Sequence, residues 1–268
     1  MSARRATAAG LLCGVAVGVA AAALVTGGSA GGAAPATPAL PGLPGLPAPA
    51  GQGLAIPRPR PLGPQDHVSQ WAPVRRPLVA RRRPAGGAAR VTRLGLRTPE
   101  GTRNLVRVLG RRTGADRRVW VHVALAVLPN GTAAWVPRRA LGAYEEVTTR
   151  LVIDTRTLRA TLYDRGRRVF RTRVGIGRAE SPTPRGDFYV RNRLERYRSP
   201  AYGPLAFGLS ARSETLTDWP AGGYVGIHGT DRPDLVPGRI SHGCIRLRNA
   251  DIRRLGRLMP VGTPVRIR

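Results

Sequence analysis

The chain has 268 residues, 44 of them basic and 15 acidic, for a formal net charge of +29 at pH 7. There is no lysine, so arginine alone carries the excess, in an Ala-, Gly- and Pro-rich background that GC-rich coding produces without selection for a polyanion. A charge of this size ordinarily suggests nucleic acid, but the N-terminal residues direct the chain out of its reach, and no nucleic-acid partner is expected.

"MSARR" precedes "LLCGVAVGVAAAALV", an apolar run of 15 residues, and small residues follow in "TGGSAGGAA". This order of basic, apolar and small segments is that of a secretory signal. The run is shorter than the roughly 20 residues of a membrane span. Residues 1–30 are therefore read as a signal peptide cleaved near Ala30, with an uncleaved anchor at residues 6–25 as the rival. Either reading exports the remainder to the cell envelope, the periplasm or the extracellular space. Cys13 follows Leu12 too early in the run to serve as a lipoprotein attachment site. Once the signal is removed, Cys244 is left with no intramolecular disulfide partner.

Residues 31–90 read as a linker. Its first half, "GGAAPATPALPGLPGLPAPAGQGLAIPRPRPLGP", has no apolar periodicity and is expected to be disordered or polyproline-like. "RRPLVARRRPAGGAAR" continues the irregular character with a basic run. Order is predicted from Val91. "VWVHVALAVLPNGTAAWVPRRAL" alternates and turns at Asn130-Gly131, a strong hairpin signal. Residues 91–146 are assigned to a small SH3-like β module, with Trp120 and Trp135 packed in its core.

Strand signals become dense from residue 147. "TRLVIDTRTLRATLYDRGRRVFRTRVGIG" reads as three strands whose apolar positions are Leu151, Ile153, Leu158, Leu162, Val169 and Val174, with the second turn at Asp164-Arg165-Gly166. "SPTPRGDFYV" is a Pro-fixed loop leading into a further strand, and "YVGIHG" is a short strand ending in His228. One helix is predicted, with Asn249 as N-cap, Ile252, Leu255, Leu258 and Met259 on one face, and Pro260 as its stop. "TPVRIR" closes the chain as a strand. The fold class is mostly β, with one main helix.

"ISHGCIRLRN" holds Cys244, with His242 two residues before it and His228 sixteen before it. On composition alone, Cys244 as a buried small hydrophobe stays open. A thiol near an imidazole is also the minimal equipment for covalent acyl transfer. A free cysteine has a pKa of about 8.5, and a histidine within reach both raises the thiolate fraction and returns the proton to a leaving amine. Gly243 permits a tight turn whose successive N–H groups can stabilise an oxyanion. Zinc ligation by His228, His242 and Cys244 has the spacing H-x13-H-x-C, which matches no common ligand pattern. No metal or cofactor is expected. Ser241 lacks a G-x-S-x-G elbow and suits a local hydrogen bond.

"IHGTDRPDLVPGRISHGCIRLRN" resembles the signature of the L,D-transpeptidase (YkuD-type) catalytic domain, a His-Gly followed by Ser-His-Gly-Cys. "SPTPRGDFYV" and "YGPLAFGLS" are also similar to segments of that family. The resemblance covers about residues 149–268 within an assigned domain at 147–268, and it implies a β-sandwich fold. It implies a Cys244 nucleophile, His228 as proton donor and acceptor, and the backbone carbonyl of Gly229 orienting the His228 ring. The N–H groups of His242, Gly243 and Cys244 would form the oxyanion hole, with the His242 side chain shaping the turn or touching substrate. Ser241, Arg246 and Tyr224 are candidate substrate contacts. The gap between His228 and Ser241 is short for the family, and Arg246 stands where many members have asparagine. The implied substrates are peptidoglycan stem peptides, with release of D-Ala and 3→3 cross-linking; carboxypeptidase action or non-catalytic wall binding are the alternatives. Anionic wall polymers are a further candidate partner, and carbapenem acylation of Cys244 a further implication.

Overall fold

A computed structural model describes residues 67–195, 199–216 and 223–268. The signal or anchor at 1–30 and the proline-rich stretch through residue 66 lie outside the described residues. Strands begin earlier than the predicted boundary at Val91. β1 (Ser69–Pro73) and β2 (Leu78–Arg81) occupy the second part of the expected linker, and β3 spans Arg90–Leu94. The reason is alternation within a basic segment: Leu78 and Ala80 turn inward while Val79 and Arg81 stay half-buried. Two or three small apolar residues are enough here because partner strands satisfy the backbone.

β4 (Leu105–Thr113), β5 (Val119–Ala124), β6 (Ala133–Pro137) and β7 (Glu145–Val147) complete a seven-stranded antiparallel sheet in the order β3-β2-β6-β5-β4-β1-β7. The predicted β5–β6 hairpin is present. Its tip is a turn in which Thr132 N–H bonds Pro129 O and Gly131 takes φ +84°. Trp120 is buried as expected, but Trp135 is half-buried and stacks on His122 with ring centroids 4.8 Å apart.

The second sheet is built from β8 (Thr149–Asp154), β9 (Arg159–Asp164), β10 (Arg167–Arg173), β11 (Gly175–Gly177), β12 (Gly186–Glu195), β13 (Leu205–Arg212), β14 (Tyr224–His228), β15 (Gly238–Ser241), β16 (Ile245–Arg246) and β17 (Pro264–Ile267). Their order is β10-β9-β8-β17-β12-β13-β14-β16-β11-β15. The ten-residue β12 pairs with β17 through residues 186–189 and with β13 through 190–195, with a register shift between Val190 and Asn192. One strand thereby passes from one layer of the curled sheet to the other. The β9–β10 turn carries positive φ at both Arg165 and Gly166, as a two-residue hairpin requires.

Leu151, Ile153, Leu162 and Val174 are fully buried in the core between the layers, while Leu158 and Val169 pack at its edge. Helix α1 (Asn249–Leu258) adds Ile252 and Leu255, both fully buried. Gly256 lets it lie directly on Leu205 of β13. Two expectations about α1 change. Leu258 is 37% exposed, because at 100° per residue it falls about 120° from Ile252 around the helix. Asn249 does not cap. The helix begins at Asn249 after Arg248, with no side-chain cap, and the Asn249 carboxamide is used elsewhere.

Candidate active site

β14 and β16 run parallel, pairing Ile227 with Ile245 and His228 with Arg246. His228 therefore ends one strand beside the start of the next, and Cys244 immediately precedes that start. The turn before Cys244 is held from three directions. Gly243 takes φ +113°, a conformation L side chains avoid. The Ser241 hydroxyl donates to Cys244 O at 2.6 Å and accepts from Gly243 N–H at 3.1 Å. The Thr183 hydroxyl donates to Gly243 O at 2.8 Å and accepts from Gly177 N–H at 2.9 Å. Thr183, in the Pro-fixed loop, carried no chemical signal in the sequence; its role follows only from where the loop folds back.

The turn delivers Cys244 Sγ to β14, where Gly226 N–H donates to it at 3.4 Å. A Cβ on Gly226 would lie 4.0 Å from that sulfur and 3.9 Å from His228 Cδ2, so both groups converge on the same bare stretch of strand. His228 Nδ1 bonds Gly229 O at 2.6 Å. A carbonyl only accepts, which assigns the proton to Nδ1 and leaves Nε2 as the basic nitrogen. The ring of Tyr202 lies 4.6 Å from that of His228, centroid to centroid. Behind them, Asn249 Oδ1 accepts from Thr230 N–H at 3.0 Å, and any Cβ on Gly229 would collide with that oxygen. The asparagine predicted to start a helix thus fixes the backbone just past the histidine.

Burial governs the electrostatics. His228 is 3% exposed. Desolvation lowers its pKa to about 4, opposed by the Gly229 hydrogen bond and assisted by the Arg246 charge. Desolvation also raises the Cys244 thiol, while the Gly226 N–H and Arg246 pull it down. Both shifts favour the neutral thiol and neutral imidazole over thiolate and imidazolium.

A cavity of about 200 Å³ opens over this pair, and Tyr202, Tyr224, His242 and Arg246 are among the residues lining it. The sequence-nominated residues therefore meet in one place, with two changes of role. Gly243 N–H is taken by Ser241 Oγ, so it is not an oxyanion donor in this arrangement. Ser241 is buried and its hydroxyl is engaged on both sides of the turn, so it shapes the loop while also lining the cavity. Among the described residues no three His, Cys, Asp or Glu side chains gather as metal ligands.

Residues 148–267 match the family model of the L,D-transpeptidase catalytic domain, YkuD. YkuD of Bacillus licheniformis, named as an L,D-transpeptidase, is 35% identical over 115 residues, covering 43% of this chain and 61% of that protein. YbiS of Escherichia coli, likewise named, is 31% identical over 154 residues, 50% of this chain and 49% of its own. The chain thus spans less than two-thirds of either relative. Among solved structures, the catalytic domain of the E. faecium L,D-transpeptidase is similar with 27% identity, 45% of this chain, 96% of that one and a TM-score of 0.34. An L,D-transpeptidase from Mycobacterium smegmatis is similar with 16% identity, 56% and 90% coverage and a TM-score of 0.36. By the family match and the sequence identities, residues 148–267 are similar to the L,D-transpeptidase (YkuD) catalytic domain.

Proposed function

We propose that the chain is an exported L,D-transpeptidase that uses Cys244 as a nucleophile on peptidoglycan stem peptides. The observation that carries this reading is the convergence of Cys244 Sγ and the His228 ring on Gly226 in a single cavity, with the basic Nε2 left available by the Nδ1–Gly229 bond. The Sγ attacks the donor carbonyl as its proton passes to His228 Nε2. A new S–C bond forms, and the oxyanion is met by backbone N–H groups of the turn. Collapse breaks the C–N bond, and the departing amine of D-Ala takes the proton from His228. An acceptor amine then attacks the thioester, its proton goes to His228, and the C–S bond breaks to release the cross-linked product while His228 returns that proton to Cys244 Sγ. The net positive charge suits work in an anionic wall.

The test is incubation of the full chain with tetrapeptide muropeptides and mass analysis of products. Cross-linked dimers with release of D-Ala support the proposal; tripeptides alone indicate carboxypeptidase action; binding with no product indicates a wall-binding module. Cys244→Ala is expected to form no acyl adduct with a carbapenem, and an adduct in that variant removes Cys244 as the nucleophile.

A further inference from the structure

The pair Arg212 and Tyr224 faces across β13 and β14, and three separate contacts from the N-terminal sheet end on it. Asn130, at the tip of the β5–β6 hairpin, reads the Arg212 backbone as a strand would. Its Nδ2 donates to Arg212 O at 2.8 Å, and its Oδ1 accepts from Arg212 N–H at 2.9 Å. The Tyr224 hydroxyl donates to Ala126 O in the same hairpin at 3.2 Å. The third contact runs through Arg191 of β12, whose guanidinium carbon lies 3.7 Å from the Tyr224 ring centroid. Arg191 is held by a two-bond ion pair to Glu100, in the loop between β3 and β4, at 2.6 and 3.0 Å, with only 3% of the arginine side chain exposed.

Tyr224 also lines the cavity over Cys244 and His228. We infer that the N-terminal β module is part of the active-site apparatus: through Glu100–Arg191 and Asn130 it positions Tyr224 as one wall of the substrate cavity. Tyr224 is the specificity contact, and Glu100, Arg191 and Asn130 are positioning residues. The other end of β14 does not depend on the module. Ile227 and His228 are paired on both sides, to β13 and to β16. Loosening the module contacts should therefore move the cavity wall and leave the catalytic pair in place, which shows in KM more than in kcat.

This inference rests on the proposed activity for its kinetic arm alone. The test uses the full chain as wild type, Glu100→Gln, Asn130→Ala and the double variant, with Tyr224→Phe and Tyr224→Ala. Amide exchange is followed in residues 224–228, and KM and kcat are measured on stem tetrapeptide. Alkylation of Cys244 by iodoacetamide reports on the thiol independently of substrate. The double variant is expected to speed exchange at Tyr224 and Val225 about tenfold or more while residues 151–153 keep their protection. KM should rise about fivefold, with kcat and the alkylation rate within about twofold. Tyr224→Phe, which loses the hydroxyl bond to Ala126 O but retains the ring beneath Arg191, should raise exchange and KM by less than the double variant does, and Tyr224→Ala should match or exceed the double variant. Unchanged exchange at Tyr224 and Val225, or a fall in kcat and alkylation together at constant KM, overturns the inference. If wild type turns over no tetrapeptide, the proposed function fails, and the exchange measurement still decides the positioning claim.

Discussion

The depressed pKa of His228 makes a prediction about stability that does not depend on substrate. The imidazole titrates near 6.5 in an unfolded chain and at about 4 when folded, because burial disfavours its charge. Between those values the unfolded state binds the proton and the folded state does not, so stability is complete above pH 6.5 and falls as pH drops toward 4. At pH 4 the binding ratio is about 160, which corresponds to about 3 kcal/mol. The perturbation is His228→Gln, which removes the titration while keeping a polar side chain. Urea unfolding of both proteins at pH 7, 6, 5 and 4 gives the difference in stability, and carboxylates common to both cancel. The wild type should lose about 3 kcal/mol relative to the variant across that range, most of it below pH 6. The low-pH limb of Cys244 acylation should fall near pH 4 in parallel. A difference under about 1 kcal/mol, or an acylation limb near pH 6.5, would mean that the imidazole is not desolvated and that the neutral-pair description is wrong.

Other outcomes follow from the turn and the core. Thr183→Val removes the bond to Gly243 O and leaves Gly177 N–H without its acceptor; a loss of about 1–3 kcal/mol in unfolding free energy is expected, together with slower Cys244 acylation. Gly243→Ala places a side chain at φ +113°; about 1–3 kcal/mol of strain is expected there, and wild-type acylation and stability in this variant would show that the turn is not held as described. Leu255→Ala empties a fully buried site between α1 and the sheet; calorimetry should show about 2–5 kcal/mol of destabilisation.

Much of the candidate site's geometry was legible in sequence because it is local. Ser241, Gly243 and Cys244 sit within four residues, and their hydrogen bonds close a single turn. His228-Gly229 is equally local, since the ring nitrogen and its carbonyl acceptor belong to adjacent residues. Strand alternation found the core positions Leu151, Ile153 and Leu162 for the same reason, as period-two burial is written in the chain. Long-range contacts were not legible. Composition concealed the strands at 69–73 and 78–81, where arginines flank the few small residues that turn inward. Asn249 carries the right residue type for a cap, yet its carboxamide is drawn to Thr230, nineteen residues away in sequence.

The sequence by itself indicated the candidate residues Cys244 and His228, the likeness to the L,D-transpeptidase (YkuD) catalytic domain and the strand-rich class, because these depend on residue identity and short spacing. Only the tertiary structure decided that the Gly243 N–H is taken by Ser241, that Thr183 braces the cysteine turn, and that the N-terminal module contacts Tyr224 in the cavity wall. The last two join residues separated by dozens of positions, such as Thr183 and Gly243, Glu100 and Arg191 or Asn130 and Arg212. Their meeting is set by how the sheets pack, which no local pattern encodes.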